Sequence, residues 1–179
     1  IEKNNVRVFS SNYSLYGDIS QRVMETLSSF SSDIEIYSID EAFLSLNGFE
    51  NYELNTYCQH IRKTIKKWVG IPVSIGVGST KTLSKIANNL AKKHAYYKGV
   101  CILKNLIEIK NGLKSTPIED VWGIGRRLSL FLRKNNIDDA YCFSQMDRGW
   151  VRKNMGVVGE KTYLELNGVS CLDLDLSPS

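Results

Sequence analysis

Ile34-Glu35-Ile36-Tyr37-Ser38-Ile39-Asp40-Glu41-Ala42-Phe43-Leu44-Ser45-Leu46 is the stretch that decides how this 179-residue chain folds. Two runs of β-branched and aromatic residues, 34–37 and 42–46, are separated only by Ser38-Ile39-Asp40-Glu41, which spells a hairpin with acids near its tip. Successive strand side chains point to opposite faces, so at least one of Asp40 and Glu41 aims back at the sheet or its rim. A carboxylate pair in that position is costly unless a cation joins it, and hard oxygen ligands suit Mg²⁺ or Mn²⁺. An Asp-Glu dipeptide alone is most often a solvated turn. The strands on either side are what favour the metal reading.

Outward from the hairpin, the elements alternate. Val6-Arg7-Val8-Phe9 reads as a strand, and Leu15, Tyr16, Ile19, Val23, Met24 and Leu27 recur at spacings of three and four, predicting a helix over 15–30. Downstream, a helix over 54–68 carries Ile61, Ile65 and Trp68 on one side, residues 73–77 are β-rich, and Ser79 or Thr80 caps a further helix over 80–93. Strand, helix, two hairpin strands, helix, strand is most of a ferredoxin-like βαββαβ layout, an α+β fold in which helices cover one face of an antiparallel sheet. From Lys104 onward the β signal disappears and short helical pieces alternate with Gly- and Asn-containing turns, so the expected units are 1–103 and 104–179, the second all-helical. The opening without Met reads as a start within a domain, and Leu176-Ser177-Pro178-Ser179 as the start of a linker.

Composition narrows the class. With 42% hydrophobic and 23% charged residues the chain is ordinary globular material, and a net charge of +4 suits a polyanionic partner without requiring one. Four cysteines with no CxxC pair, and two histidines, argue for reduced core thiols of a cytoplasmic protein over a zinc site or disulfides. No apolar run approaches the ~18 residues that a membrane span needs.

Two further segments carry candidate chemistry. In the helix over 80–93, Leu83, Ile86, Ala87, Leu90 and Ala91 form the apolar stripe, while Lys81, Lys85, Asn88 and Lys92 share another face. Lysines near metal-held acids can bind a triphosphate; otherwise they are a solvated face. Val121-Trp122-Gly123-Ile124-Gly125-Arg126-Arg127-Leu128 reads as a helix-hairpin-helix turn, whose glycines present backbone N–H groups at a helix start, where phosphates bind regardless of base identity. Arg126 and Arg127 add charge there. A Gly-Ile-Gly turn is also a common helix stop.

Taken together, Tyr37-Ser38-Ile39-Asp40-Glu41-Ala42-Phe43, Pro72-Val73-Ser74-Ile75-Gly76-Val77-Gly78, Thr80-Lys81-Thr82-Leu83 and the Trp122-Gly123-Ile124-Gly125 segment resemble the Y-family translesion DNA polymerases in order and spacing. Phe9-Ser10-Ser11-Asn12-Tyr13 and Trp122 place the resemblance in the UmuC branch rather than the DinB branch. The resemblance implies a palm over 1–103 and a thumb over 104–179. It makes Asp40 and Glu41 ligands of two Mg²⁺ ions and Lys92 or Lys93 the contact to the incoming triphosphate, since His94-Ala95-Tyr96-Tyr97-Lys98-Gly99 replaces the Pro-Asn-Gly turn of the DinB branch. It makes Gly123, Ile124, Gly125, Arg126 and Arg127 the DNA-binding turn. The implied partners are primer-template DNA and deoxynucleoside triphosphate, with a UmuD-like subunit, a recombinase filament and a sliding clamp engaged mostly through parts outside the chain. The family's Asp-bearing first strand, fingers and little finger have no counterpart here, so the chain alone is expected to be inactive. The rival readings are a palm-type nucleotidyl cyclase and a non-catalytic DNA-binding adaptor.

Overall fold

The computed structural model describes residues 7, 9–49 and 52–176. The chain enters helix α1 (Tyr13–Ser28), whose first turn is capped by the Asn12 side chain accepting the Leu15 N–H at 3.1 Å. The hairpin follows as β1 (Ile34–Ser38) and β2 (Glu41–Leu44), paired antiparallel. Helix α2 (Leu54–Trp68) starts where the Glu53 carboxylate takes the N–H groups of Asn55 and Thr56, and hydrogen bonding from the Thr56 side chain, with the Thr56 N–H next, holds Glu53 below the usual carboxylate range. Strand β3 (Ile75–Val77), helix α3 (Lys81–Lys93) and strand β4 (Val100–Ile102) then form a strand-helix-strand crossover, and β3 and β4 pair parallel as such a connection requires.

The remaining chain is helical: α4 (Leu106–Lys114), a 3₁₀ turn over Ile118–Asp120, α5 (Arg126–Lys134), α6 (Ala140–Ser144) and α7 (Arg148–Leu166). One apolar core runs from α3 (Leu83, Ile86, Leu90) through Leu103 and Leu113 to Ile118, Leu132, Phe143, Val151 and Leu166.

Several expectations need correcting. Instead of one antiparallel sheet, the described residues form two separate two-stranded pairs, one of them parallel. β2 pairs only with β1 and β3 only with β4, and residues of β2 and β3 together line one cavity. Strand β4 was not anticipated, because Val100-Cys101-Ile102 is a short apolar run with no alternation of its own. The strand expected over Val6-Arg7-Val8-Phe9 falls partly outside the described residues, and Arg7 and Phe9 themselves lie in no strand. The apolar stripe of α1 is covered only from Ile19 onward; Leu15 and Tyr16 stay exposed, as does Trp68 at the end of α2. Of the four thiols only Cys58 and Cys101 are buried, while Cys142 is exposed and Cys171 half-exposed.

Glycine decides one packing arrangement that matters for the site. A Cβ on Gly76 would sit 2.0 Å from the Asn88 backbone nitrogen and 2.3 Å from the Ser84 carbonyl oxygen, so α3 lies directly on the β3 backbone. That approach carries the lysine face of α3 up to the hairpin.

Candidate active site

At the hairpin tip the strand register slips between Ile36 and Ser38, and Ser38 pairs with Glu41. The slip is a bulge, a device that re-aims side chains near a strand end. The Ser38 hydroxyl donates to Asp40 Oδ1 at 2.7 Å, which fixes the Asp40 carboxylate. Asp40 is exposed and Glu41 half-buried, and both line one cavity of about 390 Å³ together with Met24 of α1, Cys58 and Ile61 of α2, Ile75 and Val77 of β3, and Lys85 and Asn88 of α3. The two acids therefore open on shared space.

Facing them, α3 presents its polar side. The Lys85 ammonium lies 2.9 Å from Glu41 Oε2, and Lys81 makes a short ion pair with the nearly buried Glu35. Asn88 Oδ1 accepts the Ser74 hydroxyl at 2.7 Å. Lys92 is exposed and enters no ion pair among the described residues; Lys93 pairs with Asp120 at 2.6 Å. Seven residues separate Lys92 from Lys85, so it lies on the same helix face about 10 Å further along. Of the two lysines expected at a triphosphate, Lys92 is the one left unengaged.

Sequence reasoning placed Lys85 on this face but not at the acids, and gave Trp122 no part in the site. The ammonium of Lys85 stands 4.7 Å from the ring centre of Tyr37, 5.2 Å from Trp122 and 5.9 Å from Phe43. Trp122 also donates its indole N–H to the Tyr37 hydroxyl at 3.3 Å. The pairing of Lys85 with Lys92 at seven-residue spacing was a readable signal; nothing local to Trp122 was.

The glycine turn follows Trp122. Gly123 has φ 89°, a left-handed conformation that side chains disfavour, and Gly125 is the N-cap of α5 with no side chain bonding there. Arg126 and Arg127 are exposed at the helix start. Ile124 is buried and its N–H donates to the Val121 carbonyl at 3.0 Å, so it shapes the turn rather than facing outward. Within α7, Gly156 at φ 69° breaks the helix into two halves, and Glu160 beyond the break takes Arg148 at 2.7 Å and Arg152 at 2.5 Å from before it. Those hydrogen bonds, Arg148's foremost, hold Glu160 below the usual carboxylate range.

Among the described residues no three of His, Cys, Asp and Glu gather as a metal cluster. The oxygen donors of Asp40 and Glu41 still suit Mg²⁺, which commonly binds through one or two carboxylates and completes its shell with water and phosphate. No helix among the described residues is long and apolar enough to cross a membrane.

Residues 1–89 match the impB/mucB/samB family. The chain is 43% identical to protein UmuC of Salmonella typhimurium over 97% of its own length and 42% of that protein's. It is 33% identical to MucB of Escherichia coli and 31% identical to DNA polymerase IV of Clostridium kluyveri, covering 43% and 42% of those proteins and 99% and 97% of itself. It thus spans about two fifths of the length of these curated relatives. Among solved structures, an insertion ternary complex of Dbh DNA polymerase is similar at a TM-score of 0.73 and 26% identity, over 89% of this chain and 46% of that one. A chimera of the Y-family polymerases Dbh and Dpo4 is similar at 0.75 and 25% identity, over 92% and 47%. The N-terminal half of the chain, residues 1–89, belongs to the impB/mucB/samB family, and the chain as a whole is UmuC-like, within the Y-family of DNA polymerases.

Proposed function

We propose that the chain supplies the palm, residues 1–103, and the thumb, residues 104–179, of an error-prone translesion DNA polymerase that adds deoxynucleotides to a primer 3′-hydroxyl opposite damaged template. The observation that carries this reading is the cavity on which Asp40 and Glu41 both open, faced by the lysine side of α3.

Asp40 and Glu41 would hold the divalent ions, Asp40 being free of any ion pair among the described residues and Glu41 shared with Lys85. Mg²⁺ bound there would neutralise phosphate charge and ease loss of the primer hydroxyl proton. Lys92 would meet the triphosphate as a point charge, Lys93 being held by Asp120. The turn at Gly123 and Gly125 would hold duplex phosphates through the uncapped start of α5 and through Arg126 and Arg127, positioning DNA without reading sequence. That turn favours a DNA polymerase over a nucleotidyl cyclase, which has no duplex to hold.

The test is primer extension by a polypeptide extended to the length of the relatives, with the 179-residue chain as the expected inactive control. Asp40→Ala and Glu41→Ala should each lower extension by about a hundredfold or more, at unchanged folding. Extension that survives both substitutions would remove these acids from the chemistry, and DNA binding without any Mg²⁺ dependence would favour the adaptor reading.

A further inference from the structure

We infer that Lys85 is a resident cation of the acidic hairpin: its ammonium competes with a divalent ion for Glu41, and the ring cage of Tyr37, Phe43 and Trp122 holds that ammonium in place when the ion takes the carboxylate. The inference rests on the reading of Asp40 and Glu41 as metal ligands.

Three observations support it. The ammonium is 2.9 Å from Glu41 Oε2, with only 19% of the lysine side chain and 32% of the glutamate side chain exposed, so the pair is sheltered. Three ring centres stand within ~6 Å of the same nitrogen, the range over which an aromatic face attracts a cation. The rings are themselves braced: Tyr37 meets Phe43 edge-on at 5.8 Å and Trp122 edge-on at 5.5 Å. A lysine on a solvated helix face would extend into water. This one has a second set of favourable interactions that does not depend on Glu41. A divalent cation can therefore displace it from the carboxylate without expelling it from the site. Because Trp122 belongs to the turn that leads into α5, such a shift would also reach the element proposed to hold duplex DNA.

The chain itself serves for the test. Mn²⁺ affinity is measured by calorimetry for the wild type, Lys85→Met and Glu41→Gln, and Mg²⁺-induced indole emission is compared between the wild type and Trp122→Phe. Relief of one partly exposed competing ion pair should make Lys85→Met bind Mn²⁺ about fivefold tighter. Glu41→Gln should bind it more weakly, and the emission change should vanish in Trp122→Phe. If Glu41→Gln weakens binding while Lys85→Met binds no tighter than wild type, the resident-cation role is overturned and the metal reading of the acids stands. If Glu41→Gln and Asp40→Asn leave Mn²⁺ binding unchanged, or none is measurable in any variant, the metal reading fails and this inference with it. Should Lys85→Met not fold, the emission comparison decides: equal Mg²⁺ responses in wild type and Trp122→Phe overturn the inference.

Discussion

Glu165, fully buried near the end of α7, accepts the backbone N–H of Thr82 at 3.0 Å, so a carboxylate from α7 caps the first turn of the helix that carries Lys85 and Lys92. The same carboxylate takes the Cys171 N–H at 2.7 Å, and the Thr80 hydroxyl donates to the Glu165 carbonyl at 2.9 Å. A little further on, the Glu35–Lys81 pair gathers the returning chain: Asp175 N–H donates to Glu35 at 2.7 Å and Lys81 to the Asp173 carbonyl at 2.7 Å. Buried carboxylates satisfied by backbone donors near a helix N-terminus are favourable in a way that the same groups elsewhere are not.

Glu165→Ala should therefore destabilise the chain by about 3 kcal/mol, since the buried Thr82 N–H and the partly buried Cys171 N–H lose their acceptor at once. Urea unfolding followed by circular dichroism measures it. A cost within ~0.5 kcal/mol, the size of an ordinary surface change, would mean that water or a local shift replaces the carboxylate.

Gly76→Ala should be at least as damaging, by about 3 kcal/mol, because the added methyl collides with α3 backbone rather than with a side chain that can rotate away. The loss should appear both in unfolding midpoint and in the Lys85–Glu41 pair, readable as a changed indole signal from Trp122. Wild-type stability in this variant would show that α3 can lift from β3 at little cost.

The thiols should separate by accessibility. Burial pushes Cys58 up to about 11 and raises Cys101 as well. At pH 8 a thiol reagent should label Cys142 and Cys171 within minutes and reach Cys58 and Cys101 only on unfolding. The linkage has a definite sign. Cys58 keeps its proton more tightly when folded, so its contribution is fully present below the ordinary thiol value of 9.0 and is lost as pH rises toward about 11. Unfolding midpoints measured from pH 8 to 11 should fall across that window, and less steeply in Cys58→Ala.

Arg126→Ala together with Arg127→Ala should weaken duplex binding equally for all sequences and flatten its salt dependence. Each phosphate that is no longer neutralised takes about 0.9 from the slope of log affinity against log salt, so the slope of the double variant should be shallower by about 1 to 2 units. Fluorescence anisotropy over a salt series checks this. An unchanged slope, or a preference for one sequence, would place DNA elsewhere on the chain and leave the Gly123 turn as a helix stop.

Periodicity alone made α2 and α3 legible, α2 to the residue, because the repeat of apolar side chains is a local property: Ile61 and Ile65, or Leu83, Ile86, Leu90, recur with the helical turn whatever they pack against. The hairpin with Asp40 and Glu41 at its tip was legible for the same reason, two β-rich runs with four residues between them. Chain order also announced the glycine turn and its arginines. What the fold decided are relations between distant positions. Lys85 reaches Glu41 across 44 residues, Trp122 reaches Tyr37 across 85, and Glu165 caps Thr82 across 83. None of these pairs leaves a local pattern, because each depends on how α3 lies on the β3 backbone and how α7 returns to it. The separation of β2 from β3 is of the same kind. Alternation tells which residues can form strands, but which strands pair is settled by the path of the whole chain, and here β2 and β3 border one cavity without pairing with each other.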